Sequence, residues 1–154
     1  MRKRLITPTV ESAGGEGWLD VELAAIVELT SEDKDHPIES AFVSGGSGWC
    51  AGTPGKQTIR LIFDQPQRLK CISLVFEENE TVRTQEFILR WSPDGGNSFR
   101  EMVRQQWNFS PPESMREVEK YHVELSCVTV LELAIVPDIA GGTSRASLKN
   151  FRLS

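Results

Sequence analysis

The segment Thr84–Trp91 places Phe87, Leu89 and Trp91 on one face and Glu86, Ile88 and Arg90 on the other. That alternation has the two-residue period of a pleated strand. The run leads into Asp94-Gly95-Gly96-Asn97, whose residues tolerate positive φ, and a second strand signal spans Phe99–Phe109. A Pro- and Gly-rich stretch precedes the closing run Ala146-Ser147-Leu148-Lys149-Asn150-Phe151-Arg152-Leu153. Hairpin and closing run together point to an antiparallel β-sandwich, an architecture that mostly binds rather than transforms.

Further strand signals complete the pattern. Thr58–Phe63 is bounded by Asp64-Gln65-Pro66, and Leu69–Phe76 is rich in β-branched and aromatic residues. Tyr121–Leu125 and Val128–Val136 flank a break at Ser126-Cys127, and the last strand runs from about Leu148 to Leu153. Trp18–Leu29 reads as a first strand, with a short helix near Glu22–Ile26 as the alternative. Ile38–Val43 is a brief apolar segment, and the composition of Ser114–Lys120 allows one helical turn in a connection. No long 3.6-residue periodicity, internal repeat or linker is visible, so the expectation is an all-β jelly roll of about eight strands, one domain over residues 1–154.

A chain of 154 residues can bury a core without staples. Its 39% hydrophobic and 25% charged content excludes disorder, and no apolar run reaches the ~18 residues of a membrane span. Met1-Arg2-Lys3-Arg4 resembles the start of a signal peptide, but Leu5-Ile6-Thr7-Pro8-Thr9 stops before an apolar h-region forms. The expectation is a cytoplasmic protein. A net charge of −5 argues against a nucleic-acid partner. The three cysteines form no CxxC or Cys/His cluster, so zinc is not expected; Cys71 and Cys127 sit in apolar strand signals and Cys50 in a Gly-rich loop.

These elements resemble, over roughly residues 28–153, the discoidin-like family, also called coagulation-factor type C or galactose-binding-like domains. Three stretches carry the resemblance. They are the hairpin Trp91–Phe99, the late strands Tyr121–Leu125 and Val130–Pro137, and the terminal Ala146–Leu153. The resemblance implies a sandwich that binds sugars, lipid head groups or proteins through loops at one end. Asn150 stands where that family usually carries Glu, which often helps to organise a structural calcium. Asp138 and the carbonyls near Gly141-Gly142-Thr143 are the remaining oxygen donors, but a Gly-rich turn held by its own hydrogen bonds is favoured, and no cofactor is expected.

Counting strands locates the binding end, because successive connections in an antiparallel sandwich alternate between ends. Ser44–Lys56, Glu77–Val82, Ser110–Lys120 and Pro137–Ser147 then share one end; Gln65–Leu69, Ser92–Ser98 and Ser126–Cys127 share the other. The first set is long and carries the unusual side chains, so the site belongs there. Trp49, in Gly48-Trp49-Cys50-Ala51-Gly52, either presents its face to a sugar ring or folds inward to plug the core. The acidic turn Glu77-Glu78-Asn79-Glu80 supplies Glu78 and Asn79 as hydroxyl readers, and Asn108 enters the same loops from Trp107. Arg116 and Arg145 offer counter-charge for an acidic sugar.

Nothing marks a catalytic group. His122 reads as structural, and His36 lies in the loop Asp33-Lys34-Asp35-His36-Pro37 with no nucleophile elbow, P-loop or HExxH anywhere in the chain. The reading is a non-catalytic module that recognises carbohydrate, weakly per site and helped by homo-oligomer multivalency. The alternative is a cytoplasmic protein–protein adaptor using the same end.

Overall fold

The computed structural model describes residues 17–154, so the reading of Met1–Thr9 lies outside the described residues. Asp20 caps a short helix, α1 (Val21–Ala24), its Oδ1 accepting from the Leu23 amide at 3.3 Å. The strands are β1 (Ala25–Leu29), β2 (Trp49–Cys50), β3 (Gln57–Glu77), β4 (Arg83–Ser92), β5 (Arg100–Phe109), β6 (Arg116–Val136), β7 (Ser147–Leu148) and β8 (Asn150–Leu153). Ile38–Ala41 forms a 3-10 turn between β1 and β2. Trp18–Leu29 is thus part helix and part strand rather than one strand.

Two strands are much longer than the sequence suggests. Thr58–Phe63 and Leu69–Phe76 are halves of β3, and Tyr121–Leu125 and Val128–Val136 belong to β6. The polar segment around Pro66 is a bulged corner rather than a turn, with register shifts between Ile62 and Gln67, Gln67 and Leu69, and Leu69 and Cys71. Proline donates no ladder hydrogen bond and is tolerated at such an irregularity. Both ribbons bend there together and pass from one layer to the other. Ser114–Lys120 is not helical: Arg116–Lys120 pairs with Ser73–Glu77 of β3.

The first layer runs β1, then the N-terminal half of β3, the C-terminal half of β6, β4 and β5. The second contains β8, the C-terminal half of β3 and the N-terminal half of β6. All these pairs are antiparallel. The layers meet through alternating inward residues: Ile59, Leu61, Phe87, Leu89, Leu131, Leu133 and Ile135 from the first, Ile72, Leu74, Phe76, Phe151 and Leu153 from the second, all essentially inaccessible to solvent. Phe76 and Phe87 stack across the gap with ring centroids 5.2 Å apart. Outside the first layer, Glu132 lies between Arg60 and Arg90 on neighbouring strands and bonds both.

The flank between β1 and β8 is sealed by Val21 of α1 and by Ile38, Ala41 and Phe42 at the 3-10 turn. Asn150 holds that seal, its side-chain amide donating to the carbonyls of Ala41 (3.3 Å) and Val43 (3.1 Å). The opposite flank, between β5 and the N-terminal half of β6, is less complete. Val103, Trp107, Tyr121 and Val123 are half-buried there. Trp107 Nε1, Glu117 Oε2 and the Tyr121 hydroxyl are buried without a hydrogen-bond partner among the described residues.

Candidate functional site

The four long connections do converge on one end. The Glu78 amide donates to Met115 O (2.8 Å), Gly55 to Ser144 O (3.2 Å), Ala51 to Ala146 O (2.8 Å), and Arg83 Nη1 to Pro137 O (2.7 Å). At this end, Asp33 and His36, β2, Glu77–Glu80 and Arg145–Lys149 line a cleft of about 720 Å³.

Its floor is apolar. The short ladder of β2 with β7 pairs Trp49 with Leu148 and Cys50 with Ser147, and Ala51, Ala146 and Leu148 are completely buried. Glycine makes the ladder possible: Gly48 sits at φ +87°, and a Cβ there would lie 2.8 Å from Leu148 O. Trp49 is only 1% exposed, and its Nε1 donates to Ser31 O at 3.1 Å. The indole therefore plugs the core beneath the cleft. Of the two readings of Trp49, this burial selects the inward plug; a ring this enclosed has no stacking face to offer.

One wall is a tight turn, Asp33–His36. Its main chain extends β2: the Asp33 amide donates to Cys50 O (2.8 Å) and the Cys50 amide to His36 O (3.2 Å). Gly52 lets this turn approach, since a Cβ there would meet Glu32 O at 2.9 Å. Asp33 Oδ1 accepts the Asp35 amide at 3.2 Å, and Oδ2 lies 3.2 Å from His36 Nδ1. The Asp35 amide first, and His36 next, hold the Asp33 carboxyl below its usual range. Both side chains remain over a third exposed, at 37% for Asp33 and 40% for His36, and face the cleft. Cys50 lies between them and the floor; burial, with Asp33 adding, pushes its thiol up, away from a reactive thiolate.

The opposite wall is the acidic turn. Glu78 Oε1 accepts from Arg83 Nε (2.6 Å), while Oε2 accepts from the amides of Glu80 (3.0 Å) and Thr81 (3.1 Å). Burial opposes the Glu78 charge, but Arg83 and the two amides outweigh it and keep the carboxyl below its ordinary value. Arg83 is itself buried, over the Phe109 ring at 4.8 Å. Glu78 thus shapes the turn from within. Asn79, exposed at the tip, makes no side-chain hydrogen bond among the described residues. Arg145 and Lys149 complete the rim.

Of the sequence candidates, Trp49, Glu78, Asn79 and Arg145 line the cleft together. Arg116 stays outside the lining, 3.8 Å from Glu77, which belongs to it. Asn108 does not reach the cleft: its Oδ1 accepts Thr84 Oγ1 (2.7 Å) from the neighbouring strand, on the exposed side of the first layer. Counting strands fixes the end a residue approaches but not the face it takes. Asp138 caps its own turn. Its Oδ1 accepts the Ala140 amide (3.0 Å) and its carbonyl the Gly141 amide (2.9 Å), and among the described residues no three metal-binding side chains cluster. Asp33, His36 and Lys149 were missed. The spacing Asp33-x-x-His36 in a loop entering the same end was the available signal.

No protein-family model matches the chain, and no curated protein matches it. Solved structures do. The family 32 carbohydrate-binding module of C. perfringens NanJ, in complex with galactose, is 12% identical, with a TM-score of 0.61 over 84% of this chain and 92% of that one. The third such module of a family 31 glycoside hydrolase from Clostridium perfringens is 19% identical, with a TM-score of 0.60 over 92% and 96%. The family 32 module of AlyQ, in complex with 4,5-unsaturated mannuronic acid, is 13% identical, with a TM-score of 0.60 over 85% and 95%. The fold of this chain is therefore the galactose-binding-like, discoidin-like β-sandwich.

Proposed function

We propose that the chain is a non-catalytic carbohydrate-binding module whose ligand sits in the cleft between the Asp33–His36 turn and the acidic turn. The observation that carries this reading is the pairing of an ionised Asp33 with His36, both accessible, across a polar cleft from the free Asn79 amide. Acceptors and donors fixed on main-chain-bonded turns are what vicinal hydroxyls require, since each hydroxyl both gives and takes a hydrogen bond. Sugars in structures of the same fold support it. A fold alone does not carry function; the side chains of the cleft do. With Trp49 withdrawn into the floor, the sugar loses a stacking surface and per-site affinity is weak, on the order of 0.1–1 mM.

A glycan array followed by calorimetry tests this on the intact protein. His36→Ala and Asn79→Ala are expected to weaken binding about tenfold while leaving the melting temperature within a few degrees. An array without a single hit ends the reading.

A protein adaptor using the same end is the second reading. It draws on exposed Val82 (71%), Ile139 (51%) and Met115 (40%); the Met115 carbonyl accepts the Glu78 amide and the Ile139 amide donates to Thr84 O. A stoichiometric protein partner lost on Val82→Ser and Ile139→Ser, and unaffected by His36→Ala, would select it.

A further inference from the structure

We infer that the cleft is built for a carbohydrate carrying a carboxylate, a uronate, with the acid group seated against Arg145 and Lys149. The inference rests on the carbohydrate reading above and narrows it. The charges at the cleft differ in whether they already have partners.

Most carboxylates do. Glu78 has Arg83 and two amides, Glu77 has Arg116 at 3.8 Å, and Asp33 has His36 and the Asp35 amide. The cations of the Arg145–Lys149 segment do not. Arg145 and Lys149 make no ion pair and no side-chain hydrogen bond among the described residues, although both line the cleft and Arg145 is exposed. Arg145 lies near enough to Asp33 for its charge to act there, behind the larger effects of the Asp35 amide and His36, yet it forms no salt bridge with it. Among the described residues that line the cleft, the carboxylate without a partner is Glu80, exposed on the acidic turn beside Asn79.

The cleft therefore has an uncompensated cationic side, while the acidic turn keeps acceptors for hydroxyls. A guanidinium offers two parallel donors that match the two oxygens of a carboxylate, and an ammonium adds a point charge. β7 and the Lys149 amide, which donates to Val75 O at 2.8 Å, fix the main chain that carries both residues. A uronate ring satisfies both sides at once: its carboxylate meets the cations, and its ring hydroxyls meet Asp33, Asn79 and Glu80. A neutral hexose leaves the cationic side unmet.

Calorimetry on the full chain tests this with trisaccharides of galacturonate, mannuronate and glucuronate, each beside its neutral hexose counterpart, at low and high sodium chloride. At least one uronate is expected to bind about tenfold more tightly than its neutral partner. That preference should shrink as salt rises, and Arg145→Gln or Lys149→Gln should narrow it. Equal affinity for both members of all three pairs, or a preference indifferent to salt and to both variants, overturns the inference and leaves the carbohydrate reading intact. Failure of all six sugars, with hits for other neutral glycans on an array, does the same. No binding to any glycan removes both.

Discussion

Replacing Trp49 separates the two roles that an indole at the cleft can have. As the plug under the site, 1% exposed and bonded to Ser31 O at 3.1 Å, it contributes stability rather than contact with ligand. Truncating a buried Trp to Ala costs about 3–5 kcal/mol, because lost transfer energy and an unfilled cavity add. For a domain of this size each kcal/mol moves the melting temperature by about 2–4 °C, so Trp49→Ala should melt about 6–20 °C below the parent. Trp49→Phe keeps most of the apolar volume but leaves Ser31 O without its donor, at a cost of about 1–3 kcal/mol. Urea titrations followed by circular dichroism, supported by thermal melts, measure both. Folded Trp49→Phe should retain glycan binding close to that of the parent. A Trp49→Ala protein within about 0.5 kcal/mol of the parent that has lost its ligand would show an exposed stacking platform and refute the assignment.

Three further outcomes follow from buried and half-buried polar groups. Glu117 is fully buried, and burial first, then its neighbour Glu119, pushes its carboxyl up to about 9. A raised carboxyl favours folding while protonated. Its contribution is complete below the unfolded value near 4.5 and is lost as pH climbs through about 9, so Glu117→Gln should flatten the fall in urea midpoint between those limits. Burial works against the Glu132 charge, but Arg90 and Arg60 outweigh it and hold the carboxyl below its ordinary value. Its contribution is therefore present above the unfolded pKa and lost as pH falls through the folded one. Glu132→Gln should cost about 1–3 kcal/mol at pH 7 and reduce the acid-side loss of stability in the same titration. Asn150→Asp removes the donor to Ala41 O and Val43 O and places a carboxylate against two carbonyls; a loss of about 1–3 kcal/mol is expected in urea unfolding, and no loss would contradict the assigned bonds.

Local chemistry made part of the fold legible. Gly95 at φ 74° and Gly96 at φ 95° turn the β4–β5 hairpin where Asp94-Gly95-Gly96-Asn97 announces it, because only such residues accept those angles cheaply. The corners of β3 and β6 were not legible as corners. Asp64-Gln65-Pro66 suits a turn and a bulge equally, and only pairing between strands far apart in sequence decides which forms. The same pairing drew Arg116–Lys120 into β6 although its composition allows a helical turn.

The site divided along similar lines. Strand alternation brought Glu78, Asn79 and Arg145 to one end, because the order of connections is a property of the chain. The direction of the Trp49 side chain was not readable, since it depends on β2 meeting β7 almost a hundred residues later. Glu117 belongs to the Ser114–Lys120 segment, read as a connection, yet its position opposite Phe76 in register turns it into the sandwich. Asn150, a departure from the pattern the chain resembles, has a role in this structure that glutamate cannot fill, because that role requires a donor.

The most direct test of the cleft assignment is a titration of the intact, isotope-labelled protein with the tightest oligosaccharide from the array, followed by two-dimensional NMR. The account predicts that the largest shifts map to Asp33, His36, Asn79 and Arg145, at the end sealed by β2 and β7. Shifts concentrated instead on the exposed side of β5 around Asn108, or at the distant hairpin turn Asp94–Asn97, would contradict it.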